Sequence, residues 1–239
     1  MIRNFHKKLA AEFALFTVEL LFVLGLFLAC IIGFLYIGVE ILQGDQLPID
    51  AEAFALARSM GSPAMNNFIE GVTFFASQQF ITPAALLLIA YFLFIRKHRW
   101  HSLRVPVVAL GSISLNLVLK QFFDRPRPLS PLVHASGLSF PSGHSMIAAS
   151  FYGLIIYLVW KNVKPPLLRY GLVVLLAIFI LLIGFSRIYL RVHYATDVLA
   201  GFSAGFLWVI VGLWALRRLE KFSKKEITPV LQEETDKNA

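Results

Sequence analysis

The sequence predicts an all-α, polytopic membrane protein with six transmembrane helices and no room for a separate soluble domain. Three observations carry this. The 239 residues are 58% hydrophobic and 14% aromatic, with a mean hydropathy of +0.72, far from the balance of a soluble domain. Helix-length apolar runs recur along most of the chain. The Lys and Arg residues alternate in density between successive connections, as in proteins whose loops face opposite sides of a bilayer.

The first run, Phe13 to Val39, follows Arg3, Lys7 and Lys8. A signal peptide opens with the same charge, but its apolar core is shorter and ends at a small-residue cleavage site, so this run reads as an uncleaved first helix. The connection after it is acidic, with Asp45, Asp50, Glu52 and Glu70 against Arg58. Two readings of Ala51 to Met60 stand side by side: a short helix at the membrane interface with Phe54 and Leu56 toward lipid, or a solvated loop. The second run is Phe68 to Ile95 and the third Leu103 to Leu119. The fourth, Met146 to Trp160, is the shortest; Pro141 and Ser142 are residues that open helices, so it is expected to extend back through Ser145 and His144. Leu167 to Phe185 and Val198 to Leu216 complete the six. Gly201 and Gly205, four apart on the last, predict close helix packing, within the bundle or between subunits. One domain covering 1–220 is expected, then a charged, disordered tail over 221–239.

Sixteen of the 22 Lys and Arg residues fall in the N-terminal segment, the 96–104 and 161–169 connections and the C-terminal tail. These segments are expected in the cytoplasm, and the 43–70, 120–145 and 186–197 connections on the other side. In a soluble protein a net charge of +8 would raise nucleic acid as a partner. Beside apolar spans the same residues serve topology and anionic lipid, so no nucleic-acid partner is expected. The single Cys30 allows no internal disulfide and no Cys-based metal site.

Five of the six other basic residues break the charge rule together, and they do so where polar chemistry gathers. Lys120 to Pro128 reads KQFFDRPRP, Pro141 to Ser145 reads PSGHS, and Ser186 to Asp197 reads SRIYLRVHYATD. Lys120, Arg127 and Arg187 would bring three cations to one face, and guanidinium forks suit phosphate oxygens. Ser142 and Gly143 precede a helix start, where free backbone N–H groups would add neutral donors. His193 and Asp197 are four apart, on one helix face if the last helix begins before them. Asp197 would then hold one imidazole nitrogen and leave the other nucleophilic. His144 supplies a second imidazole, suited to general acid work. For Arg125 and Arg191, a headgroup contact and a solvated charge are equally open.

These three segments resemble the signature of the type 2 phosphatidic acid phosphatase superfamily. Its first motif, Lys, six residues and Arg-Pro, falls on Lys120, Arg127 and Pro128. The second falls on Pro141, Ser142, Gly143 and His144. The third, Ser-Arg, five residues, His, three residues and Asp, falls on Ser186, Arg187, His193 and Asp197. The loop charges put these segments at the extracytoplasmic face, and the resemblance implies a catalytic site in them, working without a metal or other cofactor on a membrane lipid phosphate or diphosphate. It implies a phosphohistidine on His193, aligned by Asp197, with His144 protonating the leaving oxygen. Lys120, Arg127, Ser142, Gly143 and Arg187 would hold the phosphate. Transfer of the phosphoryl group to an acceptor other than water is the alternative, and a non-catalytic anionic-lipid binder or transporter a more distant one. A multi-pass position in a bacterial inner membrane is expected; no motif sets an oligomeric state.

Overall fold

The structure, a computed structural model, describes the backbone of residues 2–44 and 47–227 and the side chains of residues 20–44 and 47–225. Among these residues the chain is wholly helical. The helices are α1 (Ile2–Gln43), α2 (Pro48–Ser59), α3 (Pro63–Phe74), α4 (Gln78–Ala90), α5 (Arg99–Phe123), α6 (Gly143–Ile147), α7 (Gly153–Asn162), α8 (Pro166–Tyr189) and α9 (Ala195–Phe222). Wider π-helical turns follow α4, α6 and α9, at Tyr91–Ile95, Ala148–Tyr152 and Ser223–Ile227. Together they make six spans long and apolar enough to cross a membrane, among the described residues: Leu20–Gln43, Pro63–Ile95, Arg99–Phe123, Gly143–Asn162, Pro166–Tyr189 and Ala195–Lys225.

Each expected span is present, and the fourth does start at Gly143. Three details differ from the sequence reading. The second span is broken: α3 stops at Phe74 and α4 starts at Gln78. A break in apolar surroundings leaves carbonyls without partners, and here the Tyr152 hydroxyl donates to Phe75 O at 2.7 Å. The acidic connection does contain a helix, α2, but Phe54 turns inward onto the Tyr194 ring, centroids 5.8 Å apart. Only Leu56 is exposed as expected, at 58%. The expected boundary at residue 221 falls inside a helix that continues through Ile227, and the rest of the tail, 228–239, lies outside the described residues.

The interior is apolar and shared. Val105 and Val108 of α5, Ile147 and Leu154 of the fourth span, Ile183 of α8 and Val209 and Leu213 of α9 form one buried cluster. Large apolar side chains such as Leu87, Phe94, Leu110 and Leu175 stay exposed, the distribution expected when the outside is hydrocarbon. Helix α9 is the axis and packs on α1, α5, α6 and α8. Gly201 and Gly205 settle their packing question within the chain. A Cβ at Gly201 would lie 2.7 Å from Ser142 O, and one at Gly205 would lie 2.3 Å from Met146 O. Only glycine lets α6 and the Ser142 turn lie this close against α9, and that contact places half of the site described next.

Candidate functional site

At one end of the bundle the three sequence segments converge. Helix α5 delivers Lys120 one turn before its end, which Asp124 closes in a left-handed conformation, φ 46°. The chain then runs without regular structure through Arg125 and Arg127 to Ser142, the N-cap of α6. Helix α8 delivers Arg187 in its last turn. After it, the carbonyl of Arg187 accepts Val192 N at 3.1 Å and His193 N at 3.3 Å, with Arg191 left-handed at φ 55°. This tight turn presents His193 just before α9 begins at Ala195.

His193 is therefore not on a helix face with Asp197, as the spacing of four suggested. The pair meets because Asp197, in the first turn of α9, turns back. Its Oδ2 accepts Tyr194 N at 2.9 Å, half of a capping box, and lies 3.4 Å from His193 Nδ1. A purely structural cap would explain the Tyr194 bond but not the imidazole beside it. Holding the proton on Nδ1 leaves Nε2 with its lone pair, and Nε2 lies 3.2 Å from Arg127 Nη1. His193 is 2% exposed and Asp197 fully buried. Burial pushes the His193 imidazole down to about 4 against the upward pull of Asp197, with Arg127 and Arg187 adding to the fall. At neutral pH the ring is thus neutral.

The cations surround this pair. Arg127 bonds Val192 O at 2.7 Å and, through Nε and Nη2, the carbonyls of Ser136 and Gly137. Lys120 Nζ donates to Leu138 O and to Ser139 O. Both cations therefore also hold the 136–139 turn beside the site. Arg187 is 7% exposed; its Nη1 donates to Thr73 Oγ1 at 2.5 Å, and its buried Nε has no partner among the described residues. A buried unpaired guanidinium donor is costly unless an anion meets it. Among the described residues the His144 side chain has no hydrogen-bond partner, and it lies within electrostatic reach of Arg187, His193, Arg127 and Lys120.

One expectation needs correction. The Ser142 N–H is not free, because Gly201 lets this turn approach α9 and the N–H donates to Asp197 O at 2.9 Å. The Ser142 hydroxyl accepts from Ser145 N and Ser145 Oγ, which leaves its own hydrogen as the donor. Gly143, the first residue of α6, keeps a helix-start N–H.

Several polar residues at the site carry no motif. Ser139 Oγ donates to Asp197 Oδ2 at 2.5 Å and lies 3.4 Å from His193 Nδ1. Asn116 Nδ2 donates to Pro141 O at 3.2 Å and braces the Gly143 turn. Asn116 was the detectable one: it is a polar residue in an apolar span, one turn before Lys120 and on its face. Thr73, Asp50 and Ser139 give no comparable signal. Among the described residues no three His, Cys, Asp or Glu side chains gather as a metal-binding group.

Known proteins resemble this chain in sequence and fold. The chain is 37% identical over 165 residues to phosphatidylglycerophosphatase B of Bacillus subtilis, covering 68% of this chain and 81% of that protein. It is 29% identical over 143 residues to the undecaprenyl-diphosphatase BcrC of the same organism, covering 56% and 68%. Among solved structures, a transmembrane PAP2 type phosphatidylglycerolphosphate phosphatase from Bacillus subtilis superposes with a TM-score of 0.70 at 31% identity, over 82% of this chain and 98% of that one. Aquifex aeolicus LpxE shares the fold, with a TM-score of 0.56 at 24% identity over 71% and 97%. The profile of the PAP2 superfamily matches residues 101–221, a stretch that holds all three motif segments, and this chain belongs to that superfamily.

Proposed function

We propose that the protein is a membrane-embedded phosphatase that hydrolyses a lipid phosphate or diphosphate through a phosphohistidine on His193. The observation that carries this is the buried His193 ring, with Nδ1 against Asp197 and Nε2 turned to Arg127. A structural histidine has no need of a lone pair aimed at a cluster of cations.

Nε2 attacks phosphorus, forming the N–P bond as the P–O bond to the lipid breaks, and His144 gives its proton to the departing oxygen. Water then attacks the phosphoenzyme, yielding its proton to His144, and inorganic phosphate leaves with His193 restored. Lys120, Arg127, Arg187, the Ser142 hydroxyl and the Gly143 N–H bear the charge on the nonbridging oxygens. The lipid class rests on membrane embedding, on the relatives, and on a groove of about 230 Å³ that reaches Gly143 between α4 and α5. Its wall includes Ile113 and Leu117, 42% and 58% exposed, so an acyl or prenyl chain in hydrocarbon can approach the phosphate loop sideways. The relatives support phosphatidylglycerophosphate and undecaprenyl diphosphate as the first substrates to try.

A phosphomonoester expels an alkoxide that needs a proton, whereas a diphosphate expels a phosphate that needs it less. His144→Ala is therefore expected to slow release from phosphatidylglycerophosphate at least roughly tenfold more than release from undecaprenyl diphosphate. Assaying wild type and variant in detergent on both lipids tests the reading. No phosphate released from either lipid by wild type would sink it, and equal loss of the chemical step on both would overturn this division between the two substrates.

The site is proposed to face away from the cytoplasm, on the strength of the loop charges. In intact cells a membrane-impermeant maleimide is expected to label Leu129→Cys, beside the site and 90% exposed, and to miss Lys164→Cys in the opposite connection. The reverse pattern would invert the topology.

A further inference from the structure

Arg125 resembles Arg127 in sequence, as both precede a proline in RPRP, yet the two arginines go to different places. Arg127 reaches His193 Nε2. Arg125 reaches the other end of the same pair: its Nη1 lies 2.6 Å from Asp197 Oδ1 and 2.8 Å from Thr196 Oγ1. Its Nη2 donates to Asp50 Oδ2 at 3.0 Å, and the guanidinium stacks over the Tyr194 ring at 4.0 Å. The side chain is 10% exposed. Asp50 comes from α2 and is itself fixed, because its Oδ1 accepts Thr196 N at 2.9 Å and its Oδ2 accepts Thr196 Oγ1 at 2.9 Å. A solvated charge or a mobile headgroup contact would not be held on every side by protein.

The two carboxylate oxygens of Asp197 divide their work. Oδ2 takes the Ser139 hydroxyl, Tyr194 N–H and His193 Nδ1, while Oδ1 has Arg125 as its one partner among the described residues, with Asp197 fully buried. Without Arg125 a buried anionic oxygen loses its cation, a costly state. The carboxylate would then turn to seek donors elsewhere and move Oδ2 away from the imidazole.

We propose that Arg125 is the positioning residue of the site: held by Asp50 from α2, it fixes Asp197, and through Asp197 it fixes the ring of His193. Arg125 touches neither the phosphate nor the reacting nitrogen. The RPR segment thus clamps the His–Asp pair from both ends, Arg127 on the nucleophilic nitrogen and Arg125 on the orienting carboxylate. The proposal rests on His193 as nucleophile, and its test separates the two.

The test compares kcat, KM and inhibition by inorganic phosphate in detergent for wild type, Arg125→Gln, Asp197→Ala and the double variant. Arg125→Gln is expected to lower kcat roughly 10- to 100-fold, the range seen for outer partners of metal-bound histidines. KM and phosphate inhibition should stay within about twofold. In the Asp197→Ala background the same substitution should cost less than about threefold, because no carboxylate remains to be positioned. Wild-type kcat in Arg125→Gln overturns the proposal. So does weakened phosphate inhibition, which would make Arg125 an anion contact, or a full additive loss in the double variant, which would make it a structural residue only. Wild-type turnover in Asp197→Ala would instead overturn the His193 mechanism. Asp50→Asn, close to the native shape, carries the same comparison should Arg125→Gln not fold: its kcat loss should vanish in the Asp197→Ala background, and persistence there overturns the proposal.

Discussion

His193→Ala is expected to lower phosphate release by at least ~10⁴-fold, the scale on which removal of a covalent nucleophile acts, while the lipid phosphate still binds. The two effects separate because different residues carry them. Lys120, Arg127 and Arg187 come from α5, the following loop and α8, and none depends on the imidazole for its place. Arg127 keeps Val192 O, Ser136 O and Gly137 O when the ring is gone. What disappears is the Nε2 lone pair beside Arg127. Rapid acid-free quenching of wild type with a lipid carrying ³²P should trap a label with the acid lability of a phosphoramidate, and His193→Ala should trap none. A labelled His193→Ala would move the nucleophile elsewhere, and His144 would be the next imidazole to test.

The fold was legible because a bilayer demands about twenty apolar residues per crossing, a requirement written locally and repeated six times. The break at Phe75–Ser77 was hidden because the hydroxyl that makes it tolerable, on Tyr152, lies 77 residues away. The cations and histidines were legible because a cluster of like charges in an apolar chain needs an explanation, and their spacing supplied one. Their supports were not. Asp50 reads as one more acid in an acidic connection, and nothing in its spacing shows that it is buried against Thr196. Arg125 was ambiguous for the opposite reason, because its neighbour Arg127 carries the motif. The spacing of His193 and Asp197 was read as a helical pair. It is a turn followed by a helix start, and the two meet only because the first-turn carboxylate reaches back to cap its own helix.

Asp197→Asn is expected to lower kcat by roughly 10³- to 10⁴-fold, the cost known for a wrongly held imidazole tautomer in a serine protease triad. The substitution is nearly isosteric, so the argument concerns donors and acceptors. One Asp197 oxygen faces the Arg125 guanidinium and the other faces Ser139, Tyr194 N and His193 Nδ1. Every one of these partners can donate, and a carboxylate accepts on both sides. An amide accepts on one side only. If its oxygen stays with the imidazole, its NH₂ confronts Arg125. If it turns over to satisfy Arg125, the NH₂ donates to Nδ1, the proton moves to Nε2, and the nucleophilic lone pair is lost. Protonation state gives a second reading of the same variant. In wild type the His193 pKa of about 4 keeps the ring neutral above pH 5, so kcat/KM should hold its acid side until roughly pH 4 to 5 and fall about tenfold per unit below. Asp197 pulls that value upward, so removing its charge moves the acid limb lower, never higher. Raising the pH from 6 to 8 is therefore expected to restore no activity to Asp197→Asn. Recovery of wild-type kcat at high pH would show that the tautomer argument fails.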